Sequence, residues 1–184
     1  MIKKLIAFLS MMVLSLSCNG DPINEFMSSY SEQEAVIEWV DQNTHPDVSR
    51  EKIKQSIRTI YANAQSNGIN PLLIVGMVMQ ESRFNERARS FAGAVGLMQV
   101  IPKWHYGKLK KRNPYNPSVN IEVGITILQE CLTKGNNNMQ KAMRCYSGGA
   151  KNYYSIVTGN QRTIARYVEQ RYKAKFNQQY YAMS

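Results

Sequence analysis

Apolar positions along this chain recur three and four apart in one segment after another, which is the spacing of a helix face, and Pro and Gly punctuate the gaps. Residues 31 to 43 carry Ala35, Val36, Trp39 and Val40 on one face, opened by Ser31 with Glu34 three positions on, the form of a capping box. Ser49 opens the next helix in the same way, with Ile53, Ile57, Ile60, Tyr61 and Ala64 as its inward stripe and Asn67-Gly68 as its stop. Pro71 suits a first turn and starts a third, in which Leu72 to Met79 is nonpolar all round. A helix without a polar face belongs at the centre of a domain. Further on, Asn120 has the character of a cap for a helix bearing Ile121, Gly124, Ile125, Leu128 and Leu132, and Gln140 to Tyr146 forms a short one. A last helix is predicted from about Thr163 to Phe176, with Ile164, Tyr167, Val168 and Tyr172 inward. No stretch alternates as a strand of any length would, so the fold class is mainly α.

The start of the chain departs from this pattern. Met1, Ile2, Lys3 and Lys4 precede an apolar run from Leu5 to Leu16 and then small and polar residues from Ser17 to Gly20, the arrangement of a secretory signal. The run is short of the roughly 20 apolar residues a membrane span needs. Cleaved or not, such a leader delivers the rest outside the cytoplasm. Cys18 lies where a bacterial lipoprotein is cleaved and acylated, with Ser15 where such signals usually have Leu, and the sequence leaves lipidation open. Cys131 and Cys145 flank an Asn-rich connection, and an exported chain is in a compartment that permits disulfides. A bridge and a pair of buried free thiols are the two readings.

Lys and Arg number 23 against 13 Asp and Glu, for a net charge of +10. That balance suits an anionic polymer or a membrane surface, and export would separate the chain from nucleic acid, which is not expected as a partner. His45 and His105 stand apart with no ligand cluster around them, so neither a metal nor another cofactor is expected.

The third helix ends in Gln80-Glu81-Ser82-Arg83-Phe84, which sets a carboxylate at the end of the nonpolar run. Desolvation disfavours a charged carboxylate and raises its pKa, the condition for holding a proton near neutral pH and donating it. Pairing of Glu81 with Arg83 or Arg87 is the plainer alternative. The segment downstream favours chemistry, since Gly93, Gly96, Met98 and Gln99 make a glycine-rich stretch able to line a sugar groove closely.

From Gln80 to Pro102 the chain resembles the Glu-Ser and Gly-Leu-Met-Gln motifs of the soluble lytic transglycosylase domain, whose fold is related to goose-type lysozyme. Asn116-Pro117, Asn120-Ile121 and Gly124 match that family's next block, and Cys145-Tyr146-Ser147-Gly148-Gly149 is similar to its Ala-Tyr-Asn-Gly-Gly segment. The likeness runs over roughly residues 50 to 172. It implies a mainly α, lysozyme-like fold and a lytic transglycosylase-like catalytic domain over 49–184; with the leader already read as a signal peptide (1–18), a helical extension (19–48) outside the likeness remains between them. It also implies cleavage of the bond between N-acetylmuramic acid and N-acetylglucosamine in peptidoglycan strands, leaving 1,6-anhydro ends without water or metal. Carried over position by position, Glu81 is the catalytic acid and base and Ser90 the hydroxyl near it. Met98 and Gln99 are groove residues contacting the glycan, and Tyr146 is the tyrosine that hydrogen-bonds the glutamate. Ser147 stands where the family usually has Asn, and Thr163 and Ala165 where Glu and Arg are often found.

Most glycosidases need two carboxylates. Here Asp occurs only at 21, 41 and 47, and after Glu81 come only Glu86, Glu122, Glu130 and Glu169, of which Glu122 and Glu130 lie off the apolar stripe of their helix. The scarcity fits a transglycosylase. A muramidase using water, with Glu86 as its base, and a peptidoglycan-binding component of a secretion or conjugation machine are the competing readings. The expected location is the periplasm or cell envelope, with membrane attachment through Cys18 if it is lipidated.

Overall fold

A computed structural model describes residues 22–182; the leader and Cys18 lie outside them. The helices are α1 (Pro22–Asn43), α2 (Arg50–Ser66), α3 (Pro71–Glu81), α4 (Tyr106–Leu109), α5 (Pro117–Lys134), α6 (Met139–Tyr146) and α7 (Tyr153–Ala182). The chain divides into two compact units at Glu34 and Ala35. The described part of the first is the opening stretch of α1, and the second holds the core and the candidate site.

The helix expected from Ser31 begins instead at Pro22, so Ser31 and Glu34 are interior residues. A proline suits a first turn, and a sequence can resemble a capping box without terminating anything. From the end of α1, Ala35, Val36, Ile37 and Val40 enter the same core as the later helices. This part of the extension therefore packs as part of the second unit.

Around that core the pattern and the structure coincide closely. Ser49 caps α2, accepting from the Lys52 amide at 3.5 Å, and Ile53, Ile57, Ile60, Tyr61 and Ala64 are buried along it. Asn70 caps α3, accepting from the Leu72 amide at 2.9 Å, and Leu73 to Val78 are all buried. Each such side chain contributes roughly 1.5–3 kcal/mol by leaving water. At Gly76 a Cβ would come within 2.9 Å of the Val157 carbonyl oxygen, so the missing side chain is what lets α3 and α7 approach.

Two expectations shift. The cap of α5 is Asn116, which accepts from the Val119 amide at 3.2 Å, while Asn120 is wholly buried inside the helix. The last helix starts at Tyr153 rather than Thr163. Tyr153, Val157, Ile164 and Val168 are buried in helical phase, and Gly159 is carried within the helix despite its weak helix propensity. A disulfide joins Cys131 on α5 to Cys145 on α6, with the Cα atoms 5.7 Å apart. Among the described residues, extended pairing is limited to isolated bridges of Val95 with Arg89 and with Val100.

Candidate active site

The site begins where α3 stops. Ser82 closes the helix, and its hydroxyl donates to the carbonyl of Leu97 at 2.8 Å, tying the helix end to the glycine-rich loop. Arg83 and Phe84 come next with φ of 50° and 62°, so the chain reverses through two left-handed non-glycine residues. Such conformations cost of order 1 kcal/mol each and persist where the surroundings enforce them. Burial of the Phe84 ring supplies that enforcement.

Asn120 organises the loop from below. Its Oδ1 accepts from the Met98 amide at 2.7 Å, and its Nδ2 donates to the carbonyls of Val95 and Pro114, each at 2.8 Å. The loop lies so near that a Cβ at Gly96 would meet Asn120 Nδ2 at 2.4 Å. Gly124, one turn along α5, receives the Met98 side chain: a Cβ there would meet Met98 Sδ at 2.6 Å.

Glu81, half-buried at this junction, accepts a short hydrogen bond at Oε1 from the hydroxyl of Tyr153. Burial pushes its carboxyl above the ordinary value, and the Tyr153 bond, by favouring the charged form, partly offsets the rise. Among the described residues Glu81 forms no ion pair, with Arg83, Arg87 or any other cation, whereas Glu86, Glu122, Glu130 and Glu169 pair with Lys52, Arg112, Lys108 and Lys173. The plainer alternative of a helix-end salt bridge therefore does not describe this carboxylate. Burial and the neighbouring Glu81 charge together hold the phenols of Tyr146 and Tyr153 far above their usual range, so both remain hydrogen-bond donors.

The other residues singled out in the sequence take distinct places. Tyr146 is next to the site, its ring stacked on that of Tyr153 with centroids 6.4 Å apart, but its hydroxyl donates to the Met98 carbonyl at 2.7 Å. The expectation that Tyr146 hydrogen-bonds Glu81 is thus corrected, since that bond comes from Tyr153. Met98 is placed differently from a groove contact: its side chain is 0% exposed and packed over Gly124, a core position. Gln99, half-buried at φ 48°, donates from Nε2 to Gly96 O at 3.0 Å, which leaves its carbonyl oxygen free to accept. Ser90 stabilises its own turn, its Oγ accepting from the Ala94 amide at 3.0 Å.

Tyr153 is the residue that the sequence reading missed. A signal was present: it precedes Val157, Ile164 and Val168 in helical register, which places it on the inward face once α7 is extended upstream past Gly159.

The chain is similar to several known proteins. A 145-residue stretch is 31% identical to the membrane-bound lytic murein transglycosylase C of Haemophilus influenzae, covering 70% of this chain and 40% of that one. An 88-residue stretch is 39% identical to a transglycosylase of Enterobacteria phage PRD1, covering 48% and 32%. Among solved structures, the 70 kDa soluble lytic transglycosylase of Escherichia coli aligns at a TM-score of 0.49 and 19% identity, over 74% of this chain and 24% of the other. The chain therefore spans about two fifths of the length of the Haemophilus relative. Residues 58–168 match the family profile of the transglycosylase SLT domain, more than half of the chain, and the protein, mainly α in fold, belongs to that family.

Proposed function

We propose that this domain is a peptidoglycan lytic transglycosylase in which Glu81 serves first as acid and then as base. The observation that carries this reading is a carboxyl held above its ordinary pKa by burial, without a cationic partner, and oriented by the Tyr153 hydroxyl. The raised pKa favours the protonated carboxyl of Glu81, and that proton goes to the glycosidic oxygen between N-acetylmuramic acid and N-acetylglucosamine. As that bond breaks, positive charge develops on the muramic acid ring, and the sugar's own acetamido oxygen stabilises it. Glu81, now a carboxylate, takes the proton of the C6 hydroxyl, whose oxygen closes on C1. The leaving strand keeps the first proton, Glu81 regains one from the C6 hydroxyl, and a 1,6-anhydro ring is the product.

This route uses one carboxylate, which agrees with the pairing of the others. A hydrolytic muramidase would need a second group to activate water, and its candidate, Glu86, is engaged by Lys52. In the same proposal Gln99 accepts from sugar hydroxyl or amide groups through its free carbonyl oxygen, Ser90 lies at the groove edge, and Tyr146 keeps the loop in register from behind. The leader read at residues 1–18 gives the chain a place of action in the cell envelope, with attachment through Cys18 and service to a secretion or conjugation complex as further parts of the reading.

The test is digestion of purified peptidoglycan by the protein and by Glu81→Gln, with the sugar ends identified by mass spectrometry. Anhydro ends made only by the unmutated protein are expected. Reducing ends would overturn the transglycosylase reading in favour of hydrolysis, and binding without cleavage would leave a peptidoglycan-binding component.

A further inference from the structure

Of the large hydrophobic side chains exposed among the described residues, the three most exposed lie close together in the sequence. Phe91 is fully exposed, Trp104 70% and Tyr106 64%. The same stretch of chain carries charge of one sign. From Arg87 to Ile121 it contains seven Lys and Arg and no Asp or Glu. Glu130 takes Lys108 and Glu122 takes Arg112. Arg87, Arg89, Lys103, Lys110 and Lys111 are exposed and form no ion pair among the described residues.

The backbone brings these residues to one end of a small array. Arg89 bridges Val95, and Val95 bridges Val100, both antiparallel. In that register the turn at 90–93 and the chain that leaves after Val100 emerge at the same end, while the turn at 96–99 closes the other. Phe91 stands on the first turn, which is closed by the Gly93 amide on the Ser90 carbonyl at 3.1 Å and by the Ala94 amide on Ser90 Oγ at 3.0 Å. Trp104 and Tyr106 follow on the departing segment. Leu109 is buried, and the Lys110 amide donates to the Tyr106 carbonyl at 3.1 Å, so Tyr106 and Lys110 are stacked one turn apart on the outer side of α4.

Exposed rings among unpaired cations match the chemistry of a lipid interface. Trp and Tyr settle at headgroup level, with an apolar body and a polar edge. A Phe ring on a turn has no polar atom and gains by entering the acyl boundary, and free Lys and Arg are drawn to anionic headgroups. A sugar backbone of hydroxyls and acetamides gives no use to five cations. Single-stranded nucleic acid also uses rings and cations, but a chain acting in the cell envelope faces a leaflet instead. We infer that Phe91, Trp104 and Tyr106, with the free cations around them, dock the domain on an anionic membrane surface. The inference takes the envelope location from the proposed function and needs no acyl group on Cys18. The cations are exposed, so their attraction is screened beyond a Debye length of about 8 Å at physiological salt, and docking weakens as salt rises.

The experiment mixes the full chain with vesicles of phosphatidylcholine containing phosphatidylglycerol, and with vesicles of phosphatidylcholine alone, and reads binding by co-sedimentation and tryptophan emission. Trp39 is packed against the core, so of the two tryptophans Trp104 is the one whose emission responds. A blue shift with the anionic vesicles is expected, and Trp104→Phe should abolish it. The combined variant Lys103→Gln, Lys110→Gln, Lys111→Gln should partition onto the anionic vesicles about 100-fold less, roughly fivefold for each cation. Phe91→Ser should cost about tenfold. Melting temperatures check that each variant is folded, and the leader, common to all of them, cancels from the comparison. Equal partitioning onto the two kinds of vesicle, or a folded charge variant that binds as the unmutated chain does, would overturn the inference. A single-stranded oligonucleotide that binds the chain more tightly than the anionic vesicles do would overturn it in favour of a nucleic-acid surface. Because docking is read without cleavage, a chain that docks yet leaves peptidoglycan intact sinks the proposed activity alone, and one that cleaves strands but ignores the vesicles sinks only the docking surface.

Discussion

The hydroxyl of Tyr153 reaches Oε1 of Glu81 from the first turn of α7, 72 positions along the chain, while Tyr146 stacks beside it and bonds Met98 O. The two tyrosines should therefore separate in a pH profile. The bond from Tyr153 favours charged Glu81, so Tyr153→Phe raises the carboxyl pKa further and moves the alkaline limb of kcat/KM, which reports loss of the Glu81 proton, to higher pH. The plateau rate should fall by up to about 100-fold as the carboxyl loses its orientation. Tyr146→Phe should cost stability, roughly 1 kcal/mol for the bond to Met98, and leave the limb in position. A limb that moves with Tyr146 and ignores Tyr153 would reverse the assignment.

Glu81 should also weigh against stability. Its folded pKa lies above the ordinary 4.5, so the folded state binds more protons than the unfolded one over the interval between the two values. By linkage, stability falls as pH rises through that interval and stays lower above it. Glu81→Gln removes the buried charge and should raise Tm at neutral pH, by about 2–4 °C for each kcal/mol relieved, with no gain well below pH 4.5. Activity should drop by about 10²- to 10⁴-fold in the same variant. Melting curves of both proteins across acid and neutral pH check the sign; a variant less stable at neutral pH would contradict it.

Asn120 and Gly96 should behave as a coupled pair. Asn120→Ala leaves the Met98 amide and the Pro114 carbonyl without their partner and takes one of two donors from the Val95 carbonyl, which keeps the Val100 amide, a loss of roughly 3 kcal/mol. Gly96→Ala puts a Cβ at 2.4 Å from Asn120 Nδ2 and an alanine at φ +77°, for a cost of at least about 2 kcal/mol. Combined, the changes should cost less than their sum by about 1 kcal/mol, because the new methyl then has room. Urea unfolding of the two single variants and the double variant measures the difference; strict additivity would mean that the two residues do not press on each other.

Helix positions were legible where the apolar pattern and a start signal agree, as in α2 with Ser49 and α3 with Pro71. They were misread where a polar residue has a tertiary task. Asn120 looks like a cap because Asn usually is one, and only the loop packed above α5 reveals that its amide is used across the fold. Met98 illustrates the converse. Its place in a motif gives its importance but not its direction, and Gly124, 26 positions away, is what opens the space that draws the side chain inward. Tyr153 could have been found only by running α7 upstream through Gly159, against the weak helix propensity of glycine.

The disulfide gives the last prediction. Cys131 and Cys145 are 14 positions apart, and closing a loop of that length restricts the unfolded chain by about 3 kcal/mol in the chain-entropy account. Cys131 is buried on α5, whereas Cys145 is exposed at the end of α6 and immediately precedes Tyr146, which holds the Met98 carbonyl. Reduction should therefore act on both stability and site. A reductant should lower Tm by about 6–12 °C, and the variant Cys131→Ala, Cys145→Ala should melt at the reduced temperature with no further response to reductant. The drop in kcat/KM should be smaller at low temperature, where α6 remains docked through Ala142 and Met143, and should steepen as the reduced protein approaches its lower Tm. Equal melting with and without reductant would mean that the α5–α6 pair is held by its packing and that the bridge adds nothing to it.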